Sequence, residues 1–456
     1  MYSRKAKSDH SRLKVYSKMY STRRTFHRLL STSLVAGTNL PAVGRACAAA
    51  FAENSTGPLE TFVPTRQITK GPHHHWFGYY DKREFDPTGR LILANQVKFE
   101  GRAPTGEDSI SVGYVDTQRG DQWYEVGKSR SWGWQQGCML QWLGPNGDRI
   151  LWNDREGDQF VCRIFSMKDR SIQTLPRPIY TVSRDGRIGL SVDFRRIDNL
   201  RPGYGYDGLA DPNVNERAPE DSGIWRVDLE TGESKLILSL ADVVELPWPD
   251  GKKHAEAWHY FNHLLINPSG DRFIVLHRYR PKFDPKTLQF EGGFVTRMLT
   301  ANLDGSDRYI LDPSGYTSHF IWKNDHQVTM WTRPEGERNG FYEFTDQSRE
   351  VIPVGHTQMP TNGHNTYLPK PYSDWILNDT YPDRATSRQT VYLYHVPSQR
   401  RFDLGHFPSP MAYRGEWRCD THPRSNDDGT LVAIDSPHQD GRQVHLLEIK
   451  EILDQA

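Results

Sequence analysis

Four histidines stand at matching places along this chain. His263, His319 and His422 each lie seven residues ahead of a turn, at Gly270, His326 and Gly429, and His364 holds the corresponding place ahead of a longer turn. Tyr180 and Gln136 are the polar residues nearest that place in two other segments. The apolar runs beyond the turns end on Asn153-Asp154, Asp193, Arg195-Arg196, His277-Arg278, Asn378-Asp379 and Asp435. Ionisable groups gathered in one concavity are where protonation is tuned for chemistry. Imidazoles, a phenol and guanidiniums together suit removal of a proton next to a carboxylate. In β-elimination of a uronate glycan the C5 proton is too weakly acidic until the carboxylate is neutralised by Arg, protonated His or a metal. Hydrolysis would instead ask for a carboxylate pair. Asp193, Asp379 and Asp435 offer carboxylates, but their spacing singles out no pair.

The elements that must carry these residues are hairpins. "FDPTGRLILANQ" (85–96), "LGPNGDRILWND" (143–154), "VSRDGRIGLSVD" (182–193), "INPSGDRFIVLH" (266–277) and "RSNDDGTLVAID" (424–435) share a polar turn closed by Gly and a strand of alternating apolar residues. "WKNDHQVTMWT" (322–332) and "NGHNTYLPKPYSDWILNDTYPD" (362–383) are degenerate copies, and a second hairpin follows each one. Two hairpins per unit, repeated seven times, predict an all-β, seven-bladed propeller of four-stranded antiparallel blades. Ring closure also protects the many strand edges. The segment "RPGYGYDGLADPNVNERAPEDS" (201–222) reads as a loop inserted over one face. In such a ring the open ends of every hairpin lie at one rim, so the histidines and arginines converge.

Composition narrows the partners. Residues 1–50 read as an export signal and linker, with Arg23-Arg24, an apolar stretch from Leu29 to Leu40, and Ala46-Cys47-Ala48 as a cleavage site. The predicted location is periplasmic or secreted, and residues 51–456 form one propeller domain. Residues 1–48 hold ten Lys/Arg and one acid, which leaves 47 basic against 56 acidic residues. A net charge of minus nine excludes nucleic acid as a natural partner and leaves anion binding to local arginines. No apolar run is long enough to span a membrane, and the expected state is a monomer. Beyond Cys47 the odd set Cys138, Cys162 and Cys419 allows one disulfide at most.

Stretches from Phe77 to His438, among them "FGYYDKREFDPTGR", "RPIYTVSRDGRIGLSVDFRR", "FNHLLINPSGDRFIVLHR" and "RCDTHPR", resemble the seven-bladed ulvan lyases and, more distantly, the oligogalacturonate lyases. The resemblance implies a polysaccharide lyase acting on an acidic, uronate-containing glycan. It matches Tyr180 and Arg196 to a catalytic Tyr-Arg pair, with His263 and His319 beside them. Arg195, Arg278, Gln136 and Asn153 become substrate-binding candidates. Ulvan lyases place catalytic histidines in the preceding blade, where this chain has Gln135, Gln136 and Asn153. It also implies a structural divalent metal, zinc first, on His364, Asp379, Cys419 and His422. An arginine near Tyr180 should lower its pKa. The alternatives are a glycan- or envelope-binding propeller without catalysis and a glycoside hydrolase.

Overall fold

Several of the recurring turns are closed by their own side chains. Asp86 accepts hydrogen bonds from the amides of Leu91 (2.7 Å) and Thr88 (3.3 Å). Asn267 accepts from Gly270, Asp271 and Arg272, and Asn426 from Thr430 and Leu431. These side chains stand in for backbone partners and reverse the chain. The reversal passes through the left-handed region at Gly89, Gly270 and Gly429, with φ of +69°, +79° and +75°. That conformation is open to glycine and strained for most other residues.

In the computed structural model, which describes residues 57–455, these hairpins build seven antiparallel four-stranded blades in a ring, and about 6% of the described residues are helical. Arg23-Arg24 and Ala46-Cys47-Ala48 lie outside the described residues. Blades 1 to 6 span 74–129, 141–175, 181–239, 258–315, 320–354 and 366–408. Blade 7 covers 424–448 and takes its outermost strand, Thr65–Gln67, from the other end of the chain, with Arg66 opposite Leu446. Glu60–Thr61 adds a fifth strand to blade 6. Neighbouring blades share apolar cores. Leu143, Leu151 and Ile164 of blade 2, for example, pack with Val227 of blade 3 and with Ile179, just ahead of that blade. Cys138, Cys162 and Cys419 are buried free thiols. No helix among the described residues is long and apolar enough to cross a membrane.

Blade 1 also closes the centre. Between its first two strands, Tyr79 and Tyr80 run into the axis, and the Tyr80 hydroxyl donates to the carbonyl of Phe320 in blade 5 at 2.8 Å. The same hydroxyl accepts from the Phe320 amide at 3.0 Å.

Blade 4 carries a chain of buried neutral histidines. Arg297 Nε donates to His277 Nδ1 (3.0 Å), so His277 must carry its proton on Nε2. That proton goes to His259 Nδ1 (2.9 Å), and His259 Nε2 donates to the His254 carbonyl (2.8 Å). Burial, the largest cause, pushes His259 down to about 4 and His277 well below its ordinary value. Away from this blade, burial also lowers His438 to about 4 and His445 to about 3. Below about pH 6.5 the unfolded chain binds protons that the folded chain refuses, so stability falls as pH drops from about 6.5 towards 4. The expected loss by pH 5 is about 1–2 kcal/mol per histidine. Urea unfolding midpoints at pH 7.5 and pH 5 test this, and equal midpoints would refute it.

Candidate functional site

The four matching histidines meet around the axial tyrosines. The Tyr79 ring lies 5.0 Å from His263, stacked on it, 5.1 Å from His422 and 6.2 Å from His364. Tyr80 lies 5.4 Å from His364 and 5.9 Å from His319. His319, His364 and His422 follow one another at 4.2 Å between ring centres. His263 and His422 have φ of +54° and +41°. A left-handed backbone at a non-glycine residue costs energy and is retained where the surrounding structure fixes it, often at functional sites. At His263 the strand bulges, and its amide points to Asn262 Oδ1 and the Tyr180 hydroxyl.

Beside this cluster opens a cavity of about 300 Å³, lined among others by Arg201, Tyr204, His263, Arg278, His319 and Tyr381. Arg201 and Tyr204 come from the inserted segment. A helix, Phe194–Leu200, is capped by Asp193, whose carboxylate accepts from the Arg195 amide. The chain then folds back on it. A Cβ at Gly205 would sit 2.1 Å from the Asp198 nitrogen, so only glycine permits that approach and sets Tyr204 over the cavity.

Two tyrosines in the cavity are pushed apart electrostatically. Burial raises the Tyr204 phenol, but the guanidiniums of Arg418 and Arg201 more than offset it and hold Tyr204 below its ordinary value. Arg418 Nη2 donates to the Tyr204 oxygen at 2.9 Å. Tyr381 is held well above its ordinary value by burial and by the Asp420 carboxylate. Its hydroxyl sits 3.4 Å from His319 Nε2, whose other nitrogen faces Asn362 Oδ1 at 3.0 Å. Since Oδ1 can only accept, the His319 proton is on Nδ1, and Nε2 accepts from Tyr381. Arg278 is buried and bonds Thr296 through Nε (3.0 Å), while its Nη1 has no hydrogen-bond partner in the protein. A buried, unspent guanidinium nitrogen on a cavity wall is a place for an anion.

The sequence-based candidates divide. His263, His319 and Arg278 line the cavity. Tyr180 does not: it is fully buried, hydrogen-bonded to Gln136 (2.8 Å), and supports His263 from behind. Its expected fall in pKa is reversed, because burial, followed by Asp81, drives it well above the ordinary value. Arg195 turns to Asp193 (2.9 and 2.8 Å). Arg196 is spent on carbonyls of His259, Asn213, Glu216 and Arg217 and clamps the insert. Neither reaches the cavity. Gln136 contacts Tyr180 and His263 Nδ1, and Asn153 joins Ile179 to Tyr206 through Nδ2.

The metal-ligand set changes in the same way. Both Asp379 oxygens face His364 Nδ1 (2.9 and 3.0 Å), and Oδ2 also takes the Thr421 hydroxyl (2.6 Å), so Asp379 orients His364 and has little left for an ion. Cys419 is a buried thiol raised far above its ordinary value by desolvation, and it lies outside the converging group. Asp420 takes its place. Ligand atoms of His364, Asp420 and His422 lie within 4.8 Å of one another. His364 Nε2, His422 Nε2 and Asp420 Oδ1 are buried without a hydrogen-bond partner. Three converging orphan atoms of these types fit a divalent cation, with Asp379 as the carboxylate that fixes the imidazole behind it.

No protein-family model matches the chain, and no curated protein matches it. Among solved structures, an oligogalacturonate lyase in complex with manganese aligns at 13% identity with a TM-score of 0.58, covering 87% of this chain and 98% of that one. The oligogalacturonate lyase of Vibrio parahaemolyticus gives 0.58 at 12% identity, covering 86% and 96%. A prolyl endopeptidase reaches 0.49 at 10%, covering 89% of this chain and 50% of its own. At such identities the likeness is one of propeller fold.

Proposed function

We propose that this protein is an exported lyase that cleaves a uronate-containing glycan by β-elimination. The observation that carries the reading is one cavity lined by a buried guanidinium with an unpartnered nitrogen, Arg278 Nη1, by a tyrosine shifted down, Tyr204, and by one shifted up, Tyr381. Titratable groups driven apart by their surroundings divide into base and acid. Arg278 and Arg201 hold the substrate carboxylate. The Tyr204 oxygen takes the C5 proton, and the released electron pair forms the C4–C5 double bond. The C4–O bond breaks, and the departing oxygen takes the Tyr381 proton. His319 Nε2 orients that hydroxyl. His263, kept neutral by burial and then by Arg278, adds no competing positive charge. The one similar structure described as a complex with manganese, together with the three unpartnered ligand atoms, supports a divalent ion at His364, His422 and Asp420. When bound, such an ion supplies further neutralisation of the carboxylate.

Purified protein incubated with pectate, ulvan and glucuronan should generate ultraviolet absorbance from an unsaturated uronate with at least one of them. Binding without absorbance would favour a glycan-binding propeller, and new reducing ends without absorbance a hydrolase. Asp379→Asn should lower affinity for manganese or zinc by about 10–100-fold, the usual worth of the group behind a ligating histidine. Calorimetric titration measures it, and unchanged affinity would remove Asp379 from that role.

A further inference from the structure

One aromatic side chain at the cavity is unlike the rest. Tyr204 is buried and Tyr381 half-buried, but Tyr316 is 51% exposed at the rim. The guanidinium of Arg333 lies over its ring at 3.5 Å. Arg333 makes no hydrogen bond or ion pair among the described residues, so stacking is its only contact of this kind. A guanidinium stacked by its face keeps its in-plane N–H groups available, and those groups match a carboxylate two at a time.

The pair is held by its chain neighbours. The buried Asp312 carboxylate accepts from the hydroxyls of Thr317, next to Tyr316, and Thr332, next to Arg333. Ser314 reaches both Asp312 (3.2 Å) and Thr332 (2.9 Å). This clasp ties the last strand of blade 4 to the second strand of blade 5, so ring and cation are fixed in advance rather than on binding.

We propose that Tyr316 and Arg333 form a second carbohydrate subsite, taking the uronate residue next to the one held at Arg278. The exposed ring meets the apolar face of the sugar, and Arg333 meets its carboxylate. The inference rests on the glycan reading above and extends it: the site grips two charged sugars, so it selects for runs of uronate over isolated ones.

The test uses oligogalacturonates and oligoglucuronates of two to six residues, with turnover followed by absorbance and binding by calorimetry. Arg333→Gln and Tyr316→Ala should each raise KM or Kd for oligomers from the dimer upward by about tenfold, with kcat and the melting temperature unchanged and the binding of free galacturonate or glucuronate, which fills one subsite only, little affected. Tyr316→Phe, which keeps the ring, should behave as wild type. Wild type that cleaves while the variants match it at every length overturns the subsite and leaves the lyase reading standing. Wild type that binds without cleaving overturns the lyase reading, and the length dependence of binding still decides the subsite. Wild type that neither binds nor cleaves any oligouronide overturns both.

Discussion

Tyr204→Phe should lower turnover of a uronate polymer by about two to four orders of magnitude, the worth of a positioned general base, while leaving the fold intact. The substitution removes one oxygen from a side chain whose ring packs against His263 at 5.5 Å and stays in place. The pH profile separates a base from a mere binding group. Arg418 donates to the Tyr204 oxygen, and its charge favours the phenolate. Arg418→Ala therefore moves the acidic limb of kcat/KM to higher pH, since a base freed of its positive neighbour ionises later. Tyr381→Phe should remove the alkaline limb instead. A Tyr204→Phe protein with wild-type rates would shift the chemistry to His263 or His319.

The parts of this site legible in the sequence are those set by local periodicity. A turn closed by Asp86, Asn267 or Asn426 and a left-handed glycine repeats, so it marks the blades and the register of the histidines at once. Tyr204 and Arg201 lie in a segment without a repeat, and what brings them to the cavity is the contact of Gly205 with a helix backbone. Two tyrosines among three glycines and two aspartates within 201–211 were the available signal. Arg195 and Arg196 follow Tyr180 by one hairpin, as a carboxylate clamp would, but Asp193 starts a helix there and turns both away. Cys419 and Asp420 differ by one position, and which of them faces His422 depends on the path of a loop that proximity in sequence does not fix. Burial, not nearby charge, sets the state of Tyr180.

Arg424→Ala should cost about 3–5 kcal/mol of stability, because it strips the partner from two buried carboxylates. Arg424 begins the first strand of blade 7. Its guanidinium grips Glu84 of blade 1 at 2.8 and 3.1 Å and Asp435 of its own blade at 3.2 Å. All three side chains are at most 2% exposed. Asp435 in turn accepts from the amides of Phe77 and Gly78, so the triad fastens the ring where the chain's two ends meet. Burial raises Glu84 to about 7 even with Arg424 beside it. Without Arg424, Glu84 rises further, and the folded state binds a proton that the unfolded state releases above about pH 4.5. The variant's deficit relative to wild type should therefore be smallest near pH 5 and grow towards pH 8. Adding Glu84→Gln should recover much of the loss at pH 8 and little at pH 5, since it removes the charge left without a partner. Denaturant unfolding of the single and double variants at both pH values measures each part. A deficit that does not change with pH would mean the loss comes from packing, and that the closure is held by the Thr65–Gln67 strand and the apolar core between the blades instead.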